Sequence, residues 1–177
     1  MSARYVALLR GINVGRSSRI AMSDLREVMS ELGFGGVRTL LQSGNIIFDS
    51  KAAPDVAKLE SAVAERTGVH ARIMVLNADR FERIVADFPF SEVVATDDSK
   101  ALITFVDSMP SAASVARLSD EELAPEQLVL GKDAIYQWLP EGVLATKLPA
   151  RFSKQFGENA TARNLRTARK IVALLDD

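Results

Sequence analysis

Cysteine is absent from the chain, and histidine occurs once, at His70. Without a thiol there is no disulfide, no thiolate nucleophile and no cysteine-held zinc or iron–sulfur centre, and the lack points to a reducing compartment. The lone histidine opens a strand-like run away from every motif and reads as structural, so acid–base chemistry would fall to a carboxylate or a lysine. Metal ligands at recognisable spacing are missing, as are the Gly-Lys-Ser/Thr of a phosphate-binding P-loop and the Gly-x-Gly of a dinucleotide fold. Strand-like sequence begins at Arg4, which leaves no room for a signal peptide, and no apolar run has the length of a membrane span. These absences predict a cytoplasmic protein with no metal and no membrane partner. Cofactor, oligomeric state and any reaction are left unknown by the sequence, since no nucleophile, base and orienting group can be assembled from it.

What remains is ordinary globular material: 177 residues, 47% hydrophobic and 25% charged, enough to bury a core. The net charge of −1 hides an uneven distribution. Residues 1–19 carry Arg4, Arg10, Arg16 and Arg19 with no acid, and residues 147–170 carry seven bases against Glu158 alone. Between Asn77 and Glu126 stand eleven acids and four bases, so non-specific affinity for nucleic acid should be modest.

Periodicity and punctuation predict the order β-α-β-β-α-β over residues 1–76: strands at 4–10, 37–42, 45–48 and 69–76, helices at 23–32 and 54–67. Ser23 is the expected N-cap of the first helix, Gly33 its stop, and Pro54 lies in the first turn of the second. This is the ferredoxin-like, split βαβ order, an α+β fold with both helices on one face of an antiparallel sheet. A helix at 78–87 and a linker to residue 100 follow. Residues 101–177 then read as a second subdomain, β-α-β-β-α, with strands at 101–106, 127–130 and 134–139 and helices at 111–118 and 143–156. It resembles the first unit without its last strand, although the two halves share no evident motif. A final helix is expected over 162–175, capped by Thr161, with Leu165, Ala168, Ile171, Val172 and Leu175 on one face and Arg163, Arg166, Thr167 and Lys170 opposite.

Three segments carry candidate chemistry. In Arg10-Gly11-Ile12-Asn13-Val14-Gly15-Arg16 a strand runs into a glycine-punctuated basic loop. It reads either as an anion seat, with Arg10 gripping carboxylate or phosphate, or as a β-to-α connection that needs its glycines to turn. In Gln42-Ser43-Gly44-Asn45 the residues are common turn formers, and Gln42 and Asn45 also offer amides to a polar ligand. Ser43 lacks the context of a nucleophile elbow. In Thr161–Lys170 the stripe of Arg163, Asn164, Thr167 and Lys170 reads as a solvated helix face or as part of a site, because an arginine in a first turn opposes the helix dipole unless an anion intervenes.

These same stretches, Tyr5–Gly15, Met22–Phe34, Val37-Arg38-Thr39, Gln42–Phe48 and Thr161–Asn164 with Thr167 and Lys170, resemble the bacterial domain-of-unknown-function family 1697 over nearly the whole chain. The chain departs from that family's pattern at Leu165, in place of a tryptophan, and at Arg16, in place of a glycine. The resemblance implies a ferredoxin-like α+β fold in a bacterial cytosolic setting and brings no established activity. The leading functional reading is binding of a small anionic ligand, phosphorylated or nucleotide-like, by Arg10, Gly11, Asn13, Gly15, Gln42, Ser43, Asn45, Arg163, Asn164, Thr167 and Lys170. Single-stranded RNA binding is a weaker alternative, since the third strand has one aromatic and no RNP signature. A non-catalytic protein-interaction module, using the acidic stretch Thr96–Ser99, is the third.

Overall fold

The computed structural model describes every residue except 16–17, 91, 93–96, 112, 114–122, 150–151, 153 and 177. The chain divides into two compact units, residues 1–82 with 171–177, and residues 83–170.

The first unit runs β1 (Ala3–Arg10), α1 (Met22–Glu31), β2 (Gly35–Leu40), β3 (Asn45–Ser50), α2 (Val56–Thr67) and β4 (Arg72–Asn77), and then enters α3 (Ala78–Ala86). The strands lie in the order β2-β3-β1-β4, every neighbouring pair antiparallel. This is the arrangement the element order predicts. Leu25, Val28 and Met29 of α1 and Leu59 and Val63 of α2 share one core with Ala7, Leu9, Ile46, Phe48 and Ile73, so both helices cover the same face. Val6, Leu8, Ile47, Met74 and Leu76, which point the other way, are buried as well. Burial on both faces is why β1 reads as an unbroken apolar run rather than an alternation.

Local chemistry sets the helix ends. Past α1, the Gly33 N–H donates to Ser30 O and the Phe34 N–H to Met29 O, a Schellman closure that needs the left-handed backbone Gly33 supplies at φ 83°. At its start Ala21, not Ser23, is the N-cap, and no side chain caps it. The Asp55 carboxylate accepts from Lys58 N–H at 3.1 Å and caps α2, with Pro54 just outside. Near the C-terminus Arg4 donates to Leu175 O and Arg38 to Leu174 O, placing two cations on the carbonyl end of a helix, where its dipole favours them.

In the second unit β5 (Ala101–Phe105), β6 (Gln127–Leu130), β7 (Ala134–Trp138) and β8 (Thr161–Asn164) form an antiparallel sheet ordered β6-β7-β5-β8. Its strands follow the same permutation as the first. The last strand, which the sequence led us to leave out, is present: residues 161–164 pair with β5, Thr161 opposite Phe105 and Asn164 opposite Leu102. The final helix, α4, therefore spans Leu165–Leu175 and begins three residues later than expected. The expected helix at 143–156 is also corrected. The described part holds two 3-10 turns, Val143–Ala145 and Lys154–Phe156. Between them the Glu126 carboxylate accepts from Thr146 Oγ at 2.8 Å and from Lys147 N–H at 2.6 Å, and Pro149 removes a helix donor and disfavours helical backbone at Leu148. The expected helix at 111–118 lies almost wholly outside the described residues.

Superposing the two strand orders uncovers a shared motif. Each fourth strand ends in an asparagine that caps the next helix: Asn77 Oδ1 accepts from Arg80 N–H at 2.9 Å, and Asn164 Oδ1 from Thr167 N–H at 2.8 Å. Seven residues past each asparagine stands Ile-Val-Ala, as Ile84-Val85-Ala86 and Ile171-Val172-Ala173, preceded by Arg83 and Lys170.

Candidate functional site

β1 carries the chain to Arg10, exposed at the strand end and opposite Arg72 in register. Beyond it Gly11 (φ 68°), Asn13 (φ 57°) and Gly15 (φ 83°) all take left-handed backbone, while Ile12 turns inward and is buried. Asn13 brackets the loop. Its Oδ1 accepts from Ile20 N–H at 2.9 Å, its Nδ2 donates to Ile20 O at 3.1 Å and to Gln42 O at 2.6 Å, and its N–H donates to Ser18 O at 2.7 Å.

The β2–β3 turn, residues 41–44, meets this loop directly. Leu9 N–H donates to Gly44 O at 2.8 Å. A Cβ on Gly44 would stand 2.6 Å from Ile12 Cδ1 and 2.8 Å from Leu9 Cβ, and Gly44 has φ 73°, so only glycine fits there. Asn45 is buried and donates through Nδ2 to Leu40 O at 2.9 Å and to Ser43 Oγ at 3.0 Å. Two of the three segments singled out by the sequence thus converge within the first unit. Asn13 and Asn45 act there as braces, their amides engaged with the fold.

Between loop and turn lies an open cleft of about 650 Å³ lined by Asn13, Gly15, Arg19, Ile20, Ala21 and Gln42. Sequence reasoning missed Arg19 as a site residue, although it is one of the four bases in the acid-free first nineteen residues. Its side chain is exposed, and among the described residues no carboxylate pairs with it. α1 starts at the cleft with alanine as N-cap and no side-chain cap hydrogen bond, and it carries Asp24 in its first turn. A second groove of about 670 Å³ runs along α2 past Glu60, Glu65, His70 and Arg72. Size does not separate the two, but Glu60 is already engaged, accepting from Ile73 N–H at 2.9 Å and from Arg72 at 3.3 Å. His70 is exposed on that groove. Among the described residues no group of three metal-binding side chains occurs, and no helix is long and apolar enough to cross a membrane.

The third segment belongs to the second unit up to Lys170, and its local structure differs from expectation. Arg163 lies in β8, not in a helical first turn. Its side chain is buried, donates to Thr161 Oγ1 at 2.9 Å and Ala162 O at 2.8 Å, and its pKa is pulled down to about 10 by burial. Asn164 caps α4, the Thr167 N–H is the donor it holds, and Lys170 is exposed. The stripe's acid partners come from the 97–98 segment: Arg166 donates to Asp98 at 2.7 Å and Asp97 at 3.1 Å, and Arg169 lies 3.6 Å from Asp98. Hydrogen bonds from the Ser99 hydroxyl and N–H hold the Asp97 carboxyl below its ordinary range. Of the expected acidic loop, Thr96 lies outside the described residues, and Asp97 and Asp98 are paired.

The one aromatic of β3 is also spent in the fold. Phe48 is fully buried and packs on Tyr5 and Phe34 at ring-centre distances of 5.7 and 4.7 Å. It presents no stacking surface to a nucleic-acid base.

A search of curated proteins finds no match. Among solved structures, a conserved bacterial protein from Streptococcus pneumoniae is similar over 100% of both chains, with 26% identity and a TM-score of 0.76. A model of the family described as protein of unknown function DUF1697 matches residues 2–136, from β1 through most of β7, stopping short of β8 and α4. Since that match spans well over half of the chain, this protein belongs to the DUF1697 family.

Proposed function

We propose that the first unit binds a small anionic ligand in the cleft between the residue 10–15 loop and the 41–44 turn. The observation that carries this reading is the convergence there of an exposed arginine without a carboxylate partner among the described residues, a glycine-rich loop and an uncapped helix start. Arg19 supplies the charge and Gln42 a side-chain amide. Gly11 and Gly15 let the backbone approach the ligand, and Arg10 stands at the loop's entry. Asn13, Ser43 and Asn45 hold the two walls in register. A phosphate or carboxylate suits this donor set, and no reaction is assigned. The reading does not draw on Arg163, Asn164, Thr167 and Lys170, which serve the second unit as a buried strand arginine, a helix cap, its donor and an exposed base.

The test is a thermal-shift titration with inorganic phosphate, phenyl phosphate and nucleoside monophosphates. A ligand at a hundred times its Kd adds about 2.7 kcal/mol of stability. Arg19→Ala should abolish that shift while leaving the unliganded Tm within about a degree, because an exposed side chain contributes little to the fold. No shift with any of these anions in the parent protein would refute the reading.

A further inference from the structure

The sheet of the first unit ends in β4, and among the described residues no strand pairs with its outer edge. Ile73 lies opposite Leu9, whose N–H turns away to Gly44 O, so this pair exchanges no ladder bonds and the Ile73 N–H and C=O point outward. The two-residue period of a strand directs the backbone groups of Val75 the same way. In the groove along α2 the Glu60 carboxylate accepts from the Ile73 N–H at 2.9 Å, the place that the carbonyl of a further strand would take.

The helix wall of this groove is built for a close neighbour. At 100° per residue Ala57, Ser61 and Ala64 share one side of α2, and all three line the groove. Arg66 stands on the opposite side and reaches Glu27 of α1 at 2.8 Å. The small residues therefore face away from α1, out past β4, where a second helix could approach closely. Lys58 and Glu65, both exposed and of opposite sign, border this row on its solvent side.

We infer that this edge takes a second copy of the chain, β4 against β4 and α2 against α2, both antiparallel, about a two-fold axis beside Ile73 and Ser61. Self-complementarity singles out a second copy. With the two helices antiparallel and crossing at Ser61, Lys58 of each copy stands by the partner's Glu65, and the pair forms twice. Glu60 gives up the Ile73 N–H to a carbonyl across the axis and keeps Arg72, which lies 3.3 Å away. A lone extended peptide would satisfy the strand edge and leave the small residues and the paired charges without a use. This surface is separate from the anion cleft, with which it shares no lining residue.

Sedimentation equilibrium of the full chain should give a monomer–dimer equilibrium with a Kd of about 10 μM or below. Ser61→Arg sets like charges face to face on the axis and should leave a monomer. Its Tm at low concentration should stay within about a degree of the parent's, because Ser61 is exposed. Lys58→Glu and Glu65→Lys should each weaken self-association about tenfold, and an equimolar mixture of the two variants should recover the parent affinity as a heterodimer. A parent chain that stays monomeric, a dimer unmoved by Ser61→Arg, or two charge-reversal variants that ignore each other would overturn the inference. If Ser61→Arg lowers the Tm sharply, the mixture decides, since recovery by opposite charges on two chains has no counterpart in a loss of folding.

Discussion

The two halves order their strands alike and leave their fourth strands through the same asparagine cap, yet they treat the exit of the first strand in opposite ways. β1 ends in Arg10 and runs into Gly11 and Asn13, a loop that opens on a cleft beside Arg19. After β5 comes Asp107, whose carboxylate accepts from the Asn159 N–H at 3.1 Å and from its Nδ2 at 3.3 Å. A Cβ on Gly157 would stand 2.8 Å from that carboxylate, so the neighbouring loop is drawn tightly over it. The hairpins differ too: four residues, 41–44, tie the first unit's turn to its loop, against the shorter 131–133 turn of the second. One scaffold has been built twice, closed around an acid in one copy and left open beside bases in the other. The functional reading therefore rests on the loops in which the copies differ, while the sheets they share carry the fold.

The largest effect that would test this contrast lies at the hairpin. Gly44→Ala adds a Cβ against Leu9 and Ile12 and forces alanine to a positive φ, and should cost about 3 kcal/mol in urea unfolding. Lys132→Ala in the second hairpin should stay within about 0.5 kcal/mol. Equal effects at the two turns would break the distinction between a hairpin glycine held at positive φ against Leu9 and Ile12 and an exposed turn lysine.

Alkaline pH separates the third strands. β3 carries Phe48, whereas β7 carries Tyr136, which is buried, donates its hydroxyl to Ile84 O at 2.8 Å and has its pKa pushed up to about 12, first by burial and then by Asp87 and Asp133. The unfolded phenol ionises near pH 10, so the stabilising contribution of neutral Tyr136 is complete below pH 10 and gone by about pH 12. Buried Arg163 works the other way: with its folded pKa lowered to about 10, the unfolded chain keeps that proton longer and stability rises over the same interval. Tyr136→Phe should cost about 1 kcal/mol at neutral pH, and relative to the parent it should gain about 2–3 kcal/mol between pH 10 and pH 12. A parallel pair of Tm–pH curves would contradict this.

The smallest test concerns what the halves share. Asn77→Ala and Asn164→Ala each remove one helix cap and should each cost about 1 kcal/mol. A large inequality would mean that the two junctions, alike in geometry, are not alike in energy.

Much of the first unit was legible from local chemistry. A doubly buried β1 announces itself as an apolar run, Gly33 marks the end of α1, and the residues around Gly44 mark the hairpin, because each signal lies within a few residues of the structure it specifies. The second unit was legible in its strands β5, β6 and β7 and failed at β8. Thr161-Ala162-Arg163-Asn164 has no strand composition of its own; pairing with β5, some sixty residues earlier, makes it a strand, and tertiary context of that kind overrides local propensity. With β8 misread as helix, Arg163 was assigned to a first turn instead of a buried strand, and the asparagine cap common to both halves went unseen.

At the candidate site the division is similar. The sequence by itself determined the glycines, the basic character of the first nineteen residues and the two segments that matter in the first unit. Only the tertiary structure decided that Asn13 and Asn45 brace the walls, that Arg19 lines the cleft, and that Leu41 is held in a conformation leucine resists. The physical reason is range: backbone freedom and charge are properties of a residue and its neighbours, whereas a brace and a cleft exist only once Leu9, Ile12 and Gly44 have been brought into contact.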